Sequence, residues 1–369
     1  MPQLNEQHHS YPMKEIGQPY SRVVIPLVLL LVVAALLIMF VKPQPSSQPS
    51  FAPASPSFFA SIDTMKVSRD TQRHPLSEQE ITQIIQLSAS LNTNYITVDT
   101  HWDYPAYMKR WIDAIRATGR HVWFRSHPDK WENNNGTVGI MTPEEYKRVE
   151  RSFILAHPTY FRLNDIFDAC PEPEQGHYWF ARYGNQWTSQ APNTATKAYN
   201  AFLRETSDVA DTAFHEKGIH GVITNLRSTN GFFATHPDVL EKETTSKFGY
   251  ITLDSYPDES TTDPDTAAQA YRDELQSIED IWHLPIVIGE MGYSNKIEVD
   301  DTLQQSVLKA EFATLNSLTY LVGVNYWVGA GTNTSGGYTY IFTRSNNKWS
   351  LRPAAAEVSA FYKRKMSAK

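Results

Sequence analysis

Two glutamates follow apolar segments of the chain, where a carboxylate is costly unless it is paired or used. Glu290 ends the run PIVIGE, and Glu172 stands in the proline-rich segment CPEPE. Two carboxylates held close together can break a bond between them, because one can protonate a leaving group while the other attacks as a nucleophile. The pair is therefore the first candidate for a catalytic centre.

Other polar and aromatic side chains also stand where an apolar run ends. Their imidazole, guanidinium, amide, phenol and indole groups can form hydrogen bonds or stack on a ligand. The sequence predicts substrate contacts for His101, Arg125, His127, Asn225, Tyr256 and Trp327. Four tryptophans in predicted loops are expected to stack on a ligand at the same end, namely Trp102, Trp131, Trp179 and Trp187. The core is expected to hold Trp111, Trp123, Trp282 and Trp349.

The elements that must position these residues are short strands that alternate with helices. Eight apolar or β-branched runs cover residues 58–63, 95–102, 121–127, 160–169, 220–225, 250–256, 285–290 and 321–327. Each is followed by a helical pattern, and eight such units predict a closed (β/α)8 barrel of the TIM type over residues 58–369. No glycine-rich phosphate loop follows the first run, which disfavours an open dinucleotide-binding sheet. The carboxyl ends of barrel strands meet at one mouth, so the candidate residues are expected to converge there.

Helix boundaries can be predicted from capping residues. Ser77 and Glu80 form a capping box, and Thr142 begins another helix in the sequence TPEE. Gly119 and Gly218 each end a helix just before a strand, as expected for a left-handed cap. Further helices are predicted at residues 196–217, 237–248, 264–282, 299–319 and 353–366.

The N-terminal part of the chain differs from the rest. Residues 23–41, which begin with Val23 and end with Val41, are uncharged and apolar, and at about 1.5 Å per residue they come close to the ~30 Å hydrocarbon core of a bilayer. We predict one transmembrane helix that contacts the lipid bilayer, although a cleaved signal peptide is the competing interpretation. The basic residues Lys14 and Arg22 precede it, so residues 1–22 are expected to be cytoplasmic. The Pro- and Ser-rich residues 42–57 then form a linker, and residues 58–369 face the cell exterior or envelope.

The charge of the chain bears on its partners, and its cysteine content bears on disulfides and metal sites. The chain carries 33 Lys and Arg against 40 Asp and Glu, a formal net charge of -7, which gives no electrostatic reason to expect a nucleic acid partner. The single cysteine, Cys170, excludes an intrachain disulfide and a multi-cysteine zinc site. No cofactor or metal is implied by the sequence.

From residue 58 to about residue 366, the chain resembles the retaining glycoside hydrolases of the large (β/α)8 clan, the cellulase and β-mannanase-like superfamily. The resemblance rests on Glu172-Pro173 after the fourth strand, Glu290 in IGEMGYS, Tyr256 in DSYP and Trp327 in NYW. It implies that Glu172 is the general acid/base and Glu290 the nucleophile. It also implies that Tyr256 donates a hydrogen bond to the nucleophile and that Trp327 forms the floor of the subsite where cleavage occurs.

The chain departs from this clan at one position. The clan usually has Asn-Glu-Pro after the fourth strand, and its asparagine contacts the sugar 2-hydroxyl, whereas this chain has Pro171 before Glu172. A neighbouring group is expected to replace that asparagine, with Asn164, Asp168 and Asn225 as the candidates. Glu174, two residues further on, competes with Glu172 for the role of acid/base.

The resemblance implies a membrane-anchored glycosidase or transglycosidase that acts with retention on a β-linked polysaccharide or oligosaccharide. Two other functions compete with it. A catalytically silent carbohydrate-binding barrel on the cell surface would explain the missing asparagine. A metal-dependent hydrolase would draw its ligands from His101, Asp103, His127 and Asp254.

Overall fold

The computed structural model describes residues 58–131, 140–175, 177–229, 232–257, 261–293, 300–331 and 339–367. The predicted cytoplasmic tail, the transmembrane helix at residues 23–41 and the linker at 42–57 lie outside the described residues. Within the described residues, no helix has the length and apolar character needed to cross a membrane.

Eight parallel strands in the described ranges close into a barrel in sequence order, which confirms the predicted fold class. The first strand pairs with the last, with Phe59 opposite Gly323. The barrel strands are β1 (Phe59–Asp63), β2 (Tyr95–Val98), β3 (His121–Phe124), β4 (Ile166–Pro171), β5 (Ile223–Ser228), β6 (Ile251–Asp254), β7 (Ile286–Met291) and β8 (Leu321–Tyr326).

Helices connect the strands, and their ends follow the predicted capping signals. Ser77 Oγ accepts a hydrogen bond from the Glu80 amide at 3.2 Å, and the Glu80 side chain accepts one from the Ser77 amide at 3.1 Å. Gly119 and Gly218 have φ of +73° and +66°, as left-handed caps require. The helices are α1 (Met65–Ser68), α2 (Glu78–Ser90), α3 (Pro105–Ala117), α4 (Pro143–Ala156), α5 (His177–Tyr183), α6 (Gln186–Ser189), α7 (Thr194–Glu216), α8 (Phe232–Thr235), α9 (Lys242–Phe248), α10 (Pro264–Trp282), α11 (Asp301–Ser317) and α12 (Ala355–Ser367).

Several element boundaries differ from the prediction. Strand β4 begins six residues later than predicted, because Pro158–Tyr160 forms a 3-10 turn and the Asp165 carboxylate then accepts a hydrogen bond from the Arg162 amide at 2.8 Å. Strand β5 continues three residues beyond its predicted end at Asn225. The helix predicted at 237–248 begins only at Lys242.

A short hairpin after the barrel was not predicted. Strands β9 (Phe342–Ser345) and β10 (Lys348–Leu351) pair antiparallel around Asn346 and Asn347, which have φ of +49° and +58°. Two consecutive residues with positive φ are typical of a type I′ turn, and asparagine tolerates this conformation better than most residues do. The Asn-Asn pair was therefore the available signal for this hairpin.

The barrel interior is layered. A buried apolar cluster fills it, with Phe59, Tyr95, Trp123, Ile166 and Val287 as members. Two residues further along several strands, toward the carboxyl end, the inward positions become polar, as in Ser61, Thr97 and Asp168. Because inward-facing residues recur every second position in a strand, the next inward positions lie at the mouth of the barrel.

The tryptophans predicted at the mouth are instead buried, so that prediction is wrong. Trp102 stacks on Phe153, with ring centroids 5.3 Å apart, and Trp131 stacks on Phe202 at 5.6 Å. Trp179 and Trp187 are also buried and pack on aromatic neighbours. Trp179 and Trp187 lie on the short helices α5 and α6 rather than in loops, and all four indoles are packed away from solvent. The prediction of buried positions is confirmed for Trp111, Trp123, Trp282 and Trp349.

Candidate active site

A layer of buried charged side chains lies where the strands reach the mouth. It contains both cations and anions, so charge compensation offsets the cost of burial. Its members are Asp63, Asp99, Arg125, Arg227, Asp254 and Glu290. The sequence placed most of these residues at strand ends, and the barrel brings them together.

Glu290, on β7, lies at the centre of this layer. Its Oε2 accepts a hydrogen bond from the Tyr256 hydroxyl at 3.0 Å. Its Oε1 is buried and pairs with Arg227 Nη2 at 2.7 Å and with Arg125 Nη1. Burial raises the pKa of Glu290, and the two guanidinium groups oppose that rise.

Glu172 leaves the end of β4 and faces Glu290. Its φ is +43°, a left-handed conformation that costs a non-glycine residue on the order of 1–3 kcal/mol. Its Oε2 accepts a hydrogen bond from Arg125 Nη2 at 3.0 Å, and its Oε1 accepts one from Thr229 Oγ1 at 3.1 Å. One carboxylate oxygen from each of Glu172, Glu290 and Asp254 lies within 4.8 Å of the other two.

Arg125 bridges the two glutamates. The same guanidinium also lies 3.3 Å from Asp63 Oδ2 and 3.5 Å from Asp99 Oδ2. Burial alone would lower the pKa of Arg125, but the four surrounding carboxylates, with Glu290 the strongest, raise it well above its ordinary value. Arg125 is therefore a fixed positive charge between the two candidate catalytic groups.

Arg227 is the main functional candidate that sequence reasoning missed. It lies on β5, fully buried, and donates to both carboxylate oxygens of Asp254 at 2.8 and 2.9 Å as well as pairing with Glu290. The predicted strand ended at Asn225, so Arg227 was left out. Continuing the two-residue alternation from Asn225 would have placed Arg227 on the same inward face.

Gly289 makes room for the Arg227–Asp254 pair. A Cβ atom at position 289 would lie 2.7 Å from Arg227 Nε and 3.0 Å from Asp254 Oδ1. We expect Gly289→Ala to lower the free energy of unfolding by roughly 1–3 kcal/mol, because the buried ion pair must shift. Urea denaturation measures this change. An unchanged midpoint would mean that Arg227 moves aside without cost.

Tyr256 and Trp327 form an aromatic wall beside Glu290. Their ring centroids are 6.1 Å apart at an interplanar angle of 81°, an edge-to-face contact. The Trp327 indole donates to Met65 Sδ at 3.2 Å, and the ammonium of Lys66 lies 5.5 Å from its ring centroid. Both residues are only partly buried, so each is in part accessible from the mouth.

His101 and His127 lie beside this charged layer. Their rings are 4.8 Å apart, and His101 Nδ1 lies 3.0 Å from Asp129 Oδ1. Arg69 connects them to the site, since its Nη1 lies 3.4 Å from His127 Nε2 and 3.5 Å from Asp99 Oδ2. The histidines therefore flank the mouth just after the ends of β2 and β3.

Asn225 lies below the mouth, within the barrel. Its amide donates to Asp168 Oδ1 at 2.6 Å, and its carbonyl oxygen accepts from Thr252 Oγ1 at 2.9 Å. Only 1% of its surface is exposed, so we assign it no substrate contact. Asp168 is equally buried, and Asn164 precedes β4 at the opposite end of the barrel. The role of the missing asparagine is therefore assigned to none of these three residues.

Asp168 gives a pH-dependent prediction. Burial raises its pKa to about 6, so between pH 4 and 6 the folded state binds more protons than the unfolded state and stability falls as pH rises. Asn at this position can still accept the hydrogen bonds of Trp123 and Asn225. We expect the free energy of unfolding of Asp168→Asn, relative to that of the wild type, to rise by up to about 3 kcal/mol as the pH increases from 4 to 8. Urea denaturation of both proteins across this range measures the change. A difference between the two proteins that is the same at every pH would contradict this.

Glu174 does not face Glu290. Ser228 Oγ donates to its Oε1 at 2.6 Å, and the Tyr199 hydroxyl donates to its Oε2 at 3.0 Å. It is buried, and burial raises its pKa. Glu174 thus anchors the loop after β4, so of the two glutamates in this loop Glu172 is the one that is close to Glu290.

The acidic cluster is poorly suited to a metal ion. In the part of the chain that the structure describes, the set of potential metal ligands is Glu172, Asp254 and Glu290, rather than the predicted set of His101, Asp103, His127 and Asp254. Carboxylate oxygens suit hard cations, but the buried guanidinium groups of Arg125 and Arg227 already contact these oxygens and would repel a cation. We therefore assign no metal to this cluster.

No protein-family model matches the sequence, and no curated protein matches it. Among solved structures, the chain is similar to a GH5_18 variant from Streptomyces cattleya in complex with Manb1-4GlcNAc, with 12% identity over 85% of this chain and 81% of that one and a TM-score of 0.61. It is also similar to the β-glucuronidase of Ruminococcus gnavus, with 14% identity over 78% of this chain and 47% of that one and a TM-score of 0.55. A third similar structure is the β-D-glucuronidase of Dictyoglomus thermophilum, with 13% identity over 83% of this chain and 50% of that one and a TM-score of 0.55.

These structural neighbours are glycoside hydrolases, in agreement with the resemblance noted in the sequence. At such low identity the similarity shows the fold. The chain spans about half the length of the two β-glucuronidases, 47% and 50%. The activity must therefore be argued from the residues at the mouth of the barrel.

Proposed function

We propose that the protein is a retaining glycoside hydrolase of β-linked polysaccharides or oligosaccharides, with Glu290 as nucleophile and Glu172 as general acid/base. The observation that carries the proposal is the separation of the two carboxylates, whose oxygens approach within 4.8 Å. Retaining glycosidases need about 5–5.5 Å between the two carboxyl groups, whereas inverting enzymes leave about 6.5–9.5 Å for a water molecule.

In the first step, Glu172 donates its proton to the glycosidic oxygen while Glu290 attacks the anomeric carbon. The C–O bond to the leaving group breaks and a covalent glycosyl ester forms on Glu290. Since Oε1 is buried against two arginines, the attacking oxygen is Oε2, which is held by Tyr256. Trp327 offers a face on which the sugar ring stacks.

In the second step, the Glu172 carboxylate removes a proton from water, and the water oxygen attacks the anomeric carbon. Glu290 leaves as a carboxylate, so the product retains the configuration of the substrate. A sugar hydroxyl in place of water would give transglycosylation by the same route.

Arg125 lies where it can stabilise the negative charge on either glutamate during the reaction. Before the first step Glu290 is negative and Glu172 is protonated, and after it Glu172 is negative and Glu290 is a neutral ester. Arg125 contacts both groups, so the total charge beside it stays the same while the charge moves from one glutamate to the other. A fixed guanidinium can therefore stabilise both states without reorganisation.

The proposal includes the cell surface as the site of action. It is supported by the apolar length of residues 23–41 and by the basic residues on their N-terminal side. Residues 1–22 would be cytoplasmic and the barrel would face outward on its Pro- and Ser-rich linker. The substrate would then be a glycan near the membrane, reached without a cofactor.

The activity is tested with the full chain in mild detergent on β-glucans, mannans, xylans and peptidoglycan glycan strands. We expect release of reducing ends from one of these classes. A folded protein that binds one glycan and releases no reducing ends would instead support the carbohydrate-binding barrel. Loss of activity on chelation would support the metal-dependent alternative.

A further inference from the structure

Lys66 is a mostly buried cation at the mouth that the proposed mechanism does not use. It lies on α1, directly after β1, and its side chain is 13% exposed. Among the described residues, the carboxylate within 4 Å of its ammonium is that of Asp70, at 3.9 Å, which is too long for a hydrogen bond. The ammonium itself still reaches solvent, so it can donate hydrogen bonds to a ligand at the mouth.

The surroundings of Lys66 belong to the candidate active site. Its ammonium lies 5.5 Å from the ring centroid of Trp327. Burial lowers the pKa of Lys66, Arg69 and Arg125 lower it further, and Asp70 and Glu290 raise it. A ligand on the Trp327 face would therefore lie within reach of the Lys66 ammonium.

The order of the strands indicates which part of a ligand meets Lys66. In the closed barrel β1 adjoins β8, and β4 lies opposite β8. Glu172 follows β4, so the leaving group that it protonates must extend toward that side. The edge of the sugar ring far from the anomeric carbon, which bears the C3, C4 and C5 substituents, then faces the β1 side and Lys66.

We propose that Lys66 binds a carboxylate on this far edge of the sugar, so that the substrate is a β-linked uronic acid. This inference rests on the proposed glycosidase function and narrows its substrate class. A hydroxymethyl group at C5 could accept one hydrogen bond, but a carboxylate offers two acceptor oxygens and a charge. In a partly dry site, a charge-assisted hydrogen bond is about twice as strong as a neutral one.

Matched aryl glycosides test the proposal with the full chain. The probes are aryl β-D-glucuronide and β-D-galacturonide against aryl β-D-glucoside and β-D-galactoside, which differ only at C6. We expect the wild type to prefer a uronide by about 100-fold in kcat/KM. Lys66→Met should lower kcat/KM for the uronide by about 100-fold and for the neutral glycoside by less than about threefold, and Lys66→Arg should keep part of the preference.

Lys365→Met is the matched control, because Lys365 also lies against an aromatic ring, 5.7 Å from the Phe58 centroid, on the C-terminal helix. It should leave the uronide preference unchanged. A wild type that cleaves neutral glycosides as well as uronides would overturn the proposal. An equal loss on both substrates in Lys66→Met would do the same, since Lys66 would then support the site in general.

Calorimetry separates failure of this inference from failure of the glycosidase function. Binding of D-glucuronate, D-galacturonate and D-mannuronate is compared with binding of their neutral sugars to the folded wild type and Lys66→Met. If no glycoside is cleaved but a uronate binds and Lys66→Met abolishes its binding, the inference stands and the glycosidase function fails. If no uronate binds better than its neutral counterpart, the inference is wrong.

Discussion

Glu290→Gln is expected to lower kcat on the cleaved glycan by about 10⁴-fold or more, with a much smaller change in KM. Glutamine has the size of glutamate and can still accept the hydrogen bond of Tyr256, but its amide cannot form the ester intermediate. Steady-state kinetics on the substrate found in the glycan panel measures both constants. A variant that keeps a tenth of the wild-type kcat would remove Glu290 from the role of nucleophile.

Rescue of inactive variants by azide distinguishes the nucleophile from the general acid/base. In Glu290→Gly, azide can enter the vacated space and attack from the nucleophile's side, which gives an inverted, α-configured glycosyl azide. In Glu172→Ala, azide attacks the glycosyl-enzyme from the opposite face and gives the β-configured product. Glu174→Gln is the matched control, and it should keep kcat within about tenfold because Glu174 anchors a loop through Ser228 and Tyr199.

Arg227→Met is expected to lower the free energy of unfolding by about 3–5 kcal/mol, because Asp254 loses its buried partner and Glu290 keeps only Arg125. This is a large part of the roughly 5–15 kcal/mol that stabilises a domain. Urea denaturation at neutral pH gives the value. At a pH low enough to protonate the carboxylates, the difference in free energy of unfolding between the wild type and Arg227→Met should be smaller.

The double variant Arg227→Met/Asp254→Leu controls for size and packing. Replacing both members of a buried ion pair by apolar side chains is often close to neutral, so most of the lost stability should return. A single variant that costs less than about 1 kcal/mol would mean that the pair adds little to folding. A double variant as unstable as the single one would place the cost in the packing around position 227 rather than in the unpaired charge.

The barrel could be predicted because its signals are local. Apolar runs of strand length, alternating with capped helices, define eight units without any long-range information. Ser77, Gly119 and Gly218 end or begin helices where the sequence predicted. The start of β4 was misjudged because the turn before it depends on Asp165, whose carboxylate also contacts Arg116 at 2.7 Å, far away in the sequence.

The candidate site could be predicted only in part. The position of a residue at a strand end indicates that it reaches the mouth, which is how Glu290, Tyr256 and Trp327 were found. It does not indicate which charges pair, so the contact of Arg125 with both glutamates and that of Arg227 with Asp254 required the folded barrel. Burial of loop tryptophans is likewise a tertiary effect that composition does not reveal.

The most direct test of the proposed mechanism is the configuration of the first product. ¹H NMR during cleavage of a β-linked substrate by the full chain distinguishes the two anomers before they equilibrate. Two carboxylates as close as Glu172 and Glu290, with oxygens within 4.8 Å, predict that the β-anomer appears first. If the α-anomer appears first, water has attacked directly and Glu290 is not the nucleophile of a retaining enzyme.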